Sequence, residues 1–349
     1  MSESIFYECN RLLTMKDING ETPEIFMVSG NRTAGKTYSF KKRLVDRFLK
    51  YGEKFCILVR FKNELNSIEQ VFFKDLQEVH FPNIEVSSEW EGALFKRLFI
   101  DGEECGYCLA LNSADSIKKY SSVFVDVCYI FFDEFQSEQG HYCPDELTKF
   151  ISVHVSIARG GGRQSRYVPV YMCSNTVSII NPYYSLFGIS KRLTSKTKFL
   201  RGDGWVLEIT FNENASKALK TSAFGRAVSG HSYIQYAASN TYLLDSDNFI
   251  EKIHGKKEMY VEMVYNGARY GVWLVDGGEL LFISHSTTPN WPNVITCNVK
   301  DHNVSYILQK RSAPYTKALR EMYEQGRVRF EDLEIKNAFF DFIGYTLTQ

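Results

Sequence analysis

Proline is scarce in this chain, with 8 residues in 349, which leaves little room for a Pro-rich tail. No stretch of about eighteen apolar residues occurs, so no membrane-spanning helix is expected. The most apolar run, Val123 to Phe132, is interrupted by Asp126. The opening residues, MSESIFYECN, lack the basic segment followed by an apolar one that marks a signal peptide. An excess of charge is missing too, because 41 Lys plus Arg balance 41 Asp plus Glu. That balance excludes a whole-surface electrostatic sponge for nucleic acid and leaves only local patches for such contact. Metal-type cysteine patterning is also lacking. Cys105-Gly106-Tyr107-Cys108 is a lone CxxC with no second pair at zinc spacing, and His141 and Cys143 do not complete a site. Cys56, Cys128 and Cys173 sit inside apolar runs, where a thiol acts as a small hydrophobe, and this suggests a reducing, cytoplasmic setting.

What is present is enough apolar side chain for a large interior. The chain is 44% hydrophobic, with 26 Phe and 21 Tyr, and its 349 residues exceed what one core usually holds, so two domains are expected. Apolar runs at 25–29, 55–59, 129–132 and 168–173 read as buried strands. Helical stripes lie between them at 36–51, 66–80 and 144–157. Two further strands, 94–100 and 108–111, are expected around the turn Asp101-Gly102, and another at 205–211. Buried strands alternating with helices imply an α/β fold with a parallel sheet flanked by helices. After about residue 215 the pattern changes. Asn266-Gly267 and Asp276-Gly277-Gly278 separate three strand-like runs, an antiparallel meander, and helices are expected at about 311–325 and 333–344.

The string Gly30-Asn31-Arg32-Thr33-Ala34-Gly35-Lys36-Thr37 matches the phosphate-loop pattern GxxxxGK[ST], between an apolar strand and an amphipathic helix as that motif requires. Its glycines let backbone N–H groups curl around phosphate oxygens at the positive end of a helix. Lys36 is placed to neutralise the β- and γ-phosphates of ATP, and the Thr37 hydroxyl to ligate Mg²⁺. A phosphate loop needs a carboxylate at the end of a second hydrophobic strand, and Tyr129-Ile130-Phe131-Phe132-Asp133-Glu134 supplies one. Asp133 is the candidate metal partner, and Glu134 the candidate base for the attacking water. Asn175, closing the run 169–173, is a candidate γ-phosphate sensor, with a simple turn asparagine as the alternative.

Hydrolysis in ring ATPases usually needs an arginine from a neighbouring subunit. Arg159, Arg163 and Arg166 cluster around Gly160-Gly161-Gly162, and Arg159 is the first choice; a solvated loop at a helix C-terminus is the plainer reading. The run Lys191 to Arg201, KRLTSKTKFLR, holds five basic residues and no acid. Lys191, Arg192, Lys196 and Lys198 are therefore candidates for the DNA backbone, against a solvated basic face. Asp245, Asp247, Glu262 and Asp276 could form a two-metal nuclease centre, although acids scattered over turns are common.

With these motifs in place, the chain resembles the DNA encapsidation proteins of the small protein-primed tailed phages, viral genome-packaging ATPases related to large terminases. The resemblance runs nearly end to end. It is carried by Lys50-Tyr51-Gly52-Glu53, Phe131 to Phe135, the stretch Ser174 to Tyr184 (SNTVSIINPYY), Phe224-Gly225-Arg226, and Val264 to Gly267 with Gly271-Val272-Trp273. It implies a P-loop motor domain of the additional-strand, catalytic-glutamate class over 1–210 and a linker over 211–230. It further implies a smaller α+β, ribonuclease-H-like domain over 231–349 whose nuclease site is vestigial. Lys36, Thr37, Asp133 and Glu134 carry their roles over, Arg159 matches the trans-acting finger, and Lys62 falls near a basic residue facing the neighbouring nucleotide. The implied setting is a homopentameric ring at the capsid portal in the host cytoplasm, driving double-stranded DNA inward, in some relatives docked on a structural RNA. Two other readings stay open: a terminase-like ATPase with an active C-terminal nuclease, and a nucleotide-gated adaptor in which ATP only assembles a ring.

Overall fold

A continuous apolar run such as Phe55 to Val59 offers no polar face to water, so its strand must be covered on both sides. In the computed structural model, which describes residues 6–137, 140–160, 164–190, 192–193, 197–228, 249–251, 253 and 256–348, this requirement is met in the first of two compact units. That unit comprises Met1–Glu138, Tyr142–Val177 and Thr197–Asn240; the second comprises Gln139–His141, Ser178–Lys196 and Thr241–Gln349. Of the linker expected over 211–230, the described residues 211–228 therefore group with the first unit, while 229–230 lie outside the described residues. Ser178–Lys196, expected within the motor domain, groups with the second.

The first unit carries β1 (Ile25–Gly30), β2 (Lys54–Val59), β3 (Val86–Glu91), β4 (Phe95–Ile100), β5 (Glu103–Ala110), β6 (Val127–Asp133), β7 (Val170–Asn175), β8 (Phe199–Gly202) and β9 (Trp205–Thr210). They form one sheet in the order β3-β4-β5-β2-β6-β7-β1-β9-β8. The six central strands, β5 to β9 in that order, are parallel. Antiparallel pairs close both edges. β7 stands between β1 and β6, which makes this a phosphate-loop sheet with an additional strand.

Up to β7 the described helices of this unit are α1 (Asn10–Leu13), α2 (Lys36–Tyr51), α3 (Ile68–Val79), α4 (Ala114–Ile117) and α5 (Glu146–Ala158). Helix α2 buries Phe40, Leu44, Val45 and Phe48, a stripe at helical spacing that faces the sheet. Phe40 meets Phe131 of β6 and Tyr171 of β7, at 6.2 and 5.3 Å between ring centroids, and Phe72 of α3 stacks on Phe55 of β2 at 5.6 Å. On the other face Phe150 of α5 stacks on Phe132 at 6.2 Å, because successive side chains of a strand point to opposite faces. Each such phenylalanine contributes about 1.5–3 kcal/mol on burial. β5 begins at Glu103, earlier than its apolar residues suggested, so Cys105 and Cys108 both lie buried within it. The edge strand β3, VSSEWE, was not anticipated, because its half-exposed polar residues carry almost no hydrophobic signal.

In the second unit α6 (Pro182–Leu186) precedes the expected meander of β10 (Lys257–Tyr265), β11 (Ala268–Val275) and β12 (Leu280–Ser284). Three short strands were not foreseen, β13 (Val294–Thr296), β14 (Ile307–Leu308) and β15 (Val328–Phe330). The order is β14-β13-β10-β11-β12-β15, with β13 parallel to β10 and β14 parallel to β13. A meander extended past its first strand by two parallel strands is the arrangement of a ribonuclease-H-like sheet. The helices Pro314–Glu324 and Leu333–Thr346 also belong to this unit, with Tyr323 and Phe330 each in ring contact with Phe339 and Phe340.

Most of the SNTVSIINPYY stretch is structural in this unit. The Asn181 side chain caps α6 by accepting from Tyr184 N at 2.9 Å, and Tyr183 and Tyr184 are fully buried. A Cβ added to Gly344 in the last helix would lie 2.3 Å from Ser185 Oγ, so α6 packs closely on that helix. This packing groups α6 with the second unit. Helices α7 (Glu213–Thr221) and α8 (Ala223–Ala227) follow β9 in the first unit.

Candidate active site

Strand β1 delivers the phosphate loop through a position where only glycine fits. Gly30 pairs with Thr210 of β9, and a Cβ on it would lie 2.4 Å from the Thr210 carbonyl oxygen. At the other end Gly35 takes φ +89° to turn the loop into α2, a conformation that L side chains rarely adopt. Asn31 fastens the loop: its side-chain amide donates to the Asn212 carbonyl at 3.0 Å, and Asn212 N donates to its Oδ1 at 2.9 Å. Lys36 Nζ donates to the carbonyls of Gly30 and Asn31, at 3.2 and 2.7 Å. Burial pushes the Lys36 ammonium down to about 8, with Arg32 adding to the effect while Cys173 and Asp133 oppose it.

Strand register brings the other groups to this loop. Gly30 pairs with Asn175 across β1 and β7, and Asp133 pairs with Cys173 across β6 and β7. The Thr37 hydroxyl, in the first turn of α2, donates to Asp133 Oδ1 at 3.0 Å. The same oxygen accepts from Cys173 Sγ at 3.2 Å and from Glu134 N at 3.0 Å. Burial and the neighbouring Asp133 push the Cys173 thiol well above its usual range, so it stays a protonated donor. A hydroxyl and a carboxylate converging at this distance are hard oxygen donors that fit a Mg²⁺ ion held partly through water.

One cleft of about 230 Å³ gathers Thr33 to Thr37 with Asp133, Glu134, Ser174 and Asn175. Every candidate from the second and third strand ends thus meets the phosphate loop. Tyr38 and Asp75 line it as well; Asp75, an exposed acid on α3, was not expected there because nothing in a helical surface pattern marks it. Behind the cleft a polar chain joins three strand ends: Gln136 donates to Ser29 Oγ at 2.9 Å, and Ser29 Oγ lies 3.2 Å from Ser174 Oγ. Arg60, closing β2, was also missed. The available signal was a charged residue ending a buried apolar strand, the same one that singled out Asp133.

The arginines separate clearly. Arg159 follows the last residue of α5, is exposed, and does not line the cleft of its own chain. Arg166 instead donates to the carbonyls of Val127, Phe124 and Ile157, at 3.2, 3.2 and 2.8 Å, a stapling role that removes it from the candidates for a finger. Arg163 lies outside the described residues. The side chain of Lys62 is exposed, in the turn after β2. Of the basic run, Arg192 is exposed in the second unit and Lys198 is exposed in the first, while Lys191 and Lys196 lie outside the described residues.

The nuclease reading loses ground in the second unit. Glu262 is buried on β10, where its carboxylate pairs with Arg269 and accepts from Thr288 N at 3.0 Å. β10 register places Asp276 beyond the Lys257 end of the strand, about 17 Å from Glu262 at ~3.4 Å per residue. These two acids therefore cannot share a metal pair; Asp245 and Asp247 lie outside the described residues.

A glycine loop on β1 and an Asp-Glu pair on β6, with a strand inserted between them, define the first unit as a P-loop nucleotide-binding domain of the additional-strand, catalytic-glutamate class. The chain belongs to the Podovirus DNA encapsidation protein (Gp16) family, whose model matches residues 1–346. It is 28% identical over 345 residues to the DNA packaging protein of Bacillus phage phi29, covering 98% of both chains. It is 30% identical over 330 residues to that of Bacillus phage B103, covering 92% of this chain and 95% of the other. Among solved structures, a chain of the bacteriophage Phi-29 viral genome packaging motor assembly aligns with a TM-score of 0.56 at 26% identity, over 98% of this chain and 100% of that one.

Proposed function

We propose that the chain is an ATP-hydrolysing motor that translocates double-stranded DNA into a preformed capsid through its portal. The observation that carries the hydrolytic reading is the Thr37 hydroxyl 3.0 Å from Asp133 Oδ1 with Glu134 next in sequence; family membership carries the choice of DNA packaging. Lys36 and the loop amides hold the β- and γ-phosphates, and Thr37 with Asp133 would hold Mg²⁺, which neutralises phosphate charge when bound. Glu134 accepts the proton of the attacking water, and Asn175 reads the γ-phosphate. Arg159, exposed and not part of the lining of its own cleft, serves a neighbouring subunit in a homopentameric ring, with Lys62 as a second residue of that kind. The exposed Arg192 and Lys198 are candidates for the DNA backbone. The motor then works in the host cytoplasm, at the portal vertex while packaging; a structural RNA is a further partner to be tested. ATP turnover of the full chain, with and without long double-stranded DNA and across protein concentrations, tests this reading. A rate per subunit that rises with both supports it, and ATP binding without DNA-stimulated turnover in the presence of portal would replace it with the adaptor reading.

A further inference from the structure

A buried ion pair lies behind the turn that carries Glu134. Arg60 and Glu146, the first residue of α5, are 7% and 0% exposed. Arg60 Nε donates to both carboxylate oxygens, at 3.1 and 2.9 Å, and the carboxylate also accepts from Cys143 N at 2.8 Å. The Phe132 and Tyr142 rings lie 5.5 and 5.0 Å from the guanidinium. Burying two charges is costly, and apolar side chains of the same volume often serve stability as well or better. Stability alone therefore does not explain the pair.

The far side of the guanidinium does. Nη1 and Nη2 each donate to the Glu134 carbonyl at 3.3 Å, and Nη2 donates to the Phe135 carbonyl at 3.0 Å. Glu134 itself takes φ +54°, the left-handed region that a side chain such as glutamate rarely occupies and that surrounding contacts must hold. Its N–H is held by Asp133, and Phe135 N by the Cys173 carbonyl at 3.4 Å. The geometry points to Arg60, fixed by Glu146, as a positioning residue that sets the backbone of Glu134 and so aims its carboxylate into the nucleotide cleft. This rests on the reading of Glu134 as the base for the attacking water.

Arg60→Lys keeps the charge but loses the planar fork that reaches a carboxylate and two carbonyls at once. In the full chain it is expected to leave the affinity for the non-hydrolysable analogue AMP-PNP and the KM for ATP within about twofold, while kcat falls about 100-fold. A loss of that size follows when a catalytic group shifts by about 1 Å. Glu146→Gln, which keeps the shape and drops the charge, should lower kcat about tenfold, also without change in KM. In a Glu134→Gln background Arg60→Lys should add no further loss, because the group it positions is gone. Normal kcat in Arg60→Lys beside a dead Glu134→Gln overturns the positioning role and leaves the base intact. Normal turnover by Glu134→Gln overturns the base instead. If Arg60→Lys loses AMP-PNP binding, Glu146→Gln decides. Wild-type kcat there, or loss of binding there too, makes the pair a folding element and sinks the proposal.

Discussion

Nucleotide binding by this chain should depend on pH through one lysine. Burial holds the Lys36 ammonium at about 8, and a bound triphosphate, bringing opposite charge within contact, lifts it well above that. Only the charged form pairs with phosphate. The affinity is therefore fully present below the free-state value and lost as pH rises through it towards the bound-state value. With a free-state value near 8, the charged fraction falls from about nine-tenths at pH 7 to about one-tenth at pH 9, which weakens binding about tenfold, or about 1.4 kcal/mol. At pH 9 binding should take up close to one proton, against about a tenth of one at pH 7. Titration calorimetry with AMP-PNP and Mg²⁺, repeated in two buffers of different ionisation enthalpy, measures both quantities. Lys36→Met should abolish the pH dependence along with most of the affinity. Equal affinity at pH 7 and 9 with no proton uptake would refute the argument that the loop holds this ammonium in a desolvated site.

Glu134→Gln should bind AMP-PNP as the parent does while turnover drops by roughly 10²–10⁴-fold, the usual contribution of a general base; normal turnover would remove the assignment. On the proposed trans role, Arg159→Ala subunits mixed with parent chains should inhibit more steeply than their share of the mixture, and inhibition in simple proportion would argue against that role. Arg166→Ala should instead lower thermal stability by roughly 1–3 kcal/mol, because buried carbonyls lose their donor, with any inhibition in mixtures no more than proportional. His154 provides a pH-dependent stability test. Burial alone would lower its imidazole, but Glu24 at 3.5 Å and the Val168 carbonyl at 3.0 Å outweigh burial and raise it above 6.5. The stability from that contact is present below 6.5 and lost as pH rises through the raised value. On the acid side, burial acts to raise the Glu24 carboxyl, yet His154 and Val168 N bring it below 4.5, so the pair weakens again as Glu24 protonates. The melting-temperature gap between parent and His154→Gln should be widest near pH 6 and shrink by pH 8; a constant gap would contradict this.

The residues that meet in the cleft were legible because local rules specify them. GNRTAGKT must lie between a strand and a helix, and Asp133-Glu134 closes an apolar strand that cannot continue past two carboxylates. The β10–β12 meander could be read from its turns for the same reason. Residues whose roles depend on distant partners were not legible. Glu262 reads as a metal ligand until Arg269 is seen beside it on the neighbouring strand, and Arg166 reads as a finger until three carbonyls surround it. Asn181 to Tyr184 lie one step past a strand-end motif, yet their burial belongs to a helix some 160 residues later in the chain.

Composition, motif spacing and hydrophobic period thus determined the loop, the acidic pair and the two kinds of sheet, because each depends on neighbours within a few residues. Tertiary structure decided the rest. The register of β7 between β1 and β6 put Thr37 and Asp133 at 3.0 Å. Folding also brought the end of β2 and the start of α5 together behind Glu134, 74 and 86 residues apart in their contacts with Arg60. No local pattern can encode such a pairing, because it comes from sheet order and burial, and those act only once the chain has closed on itself.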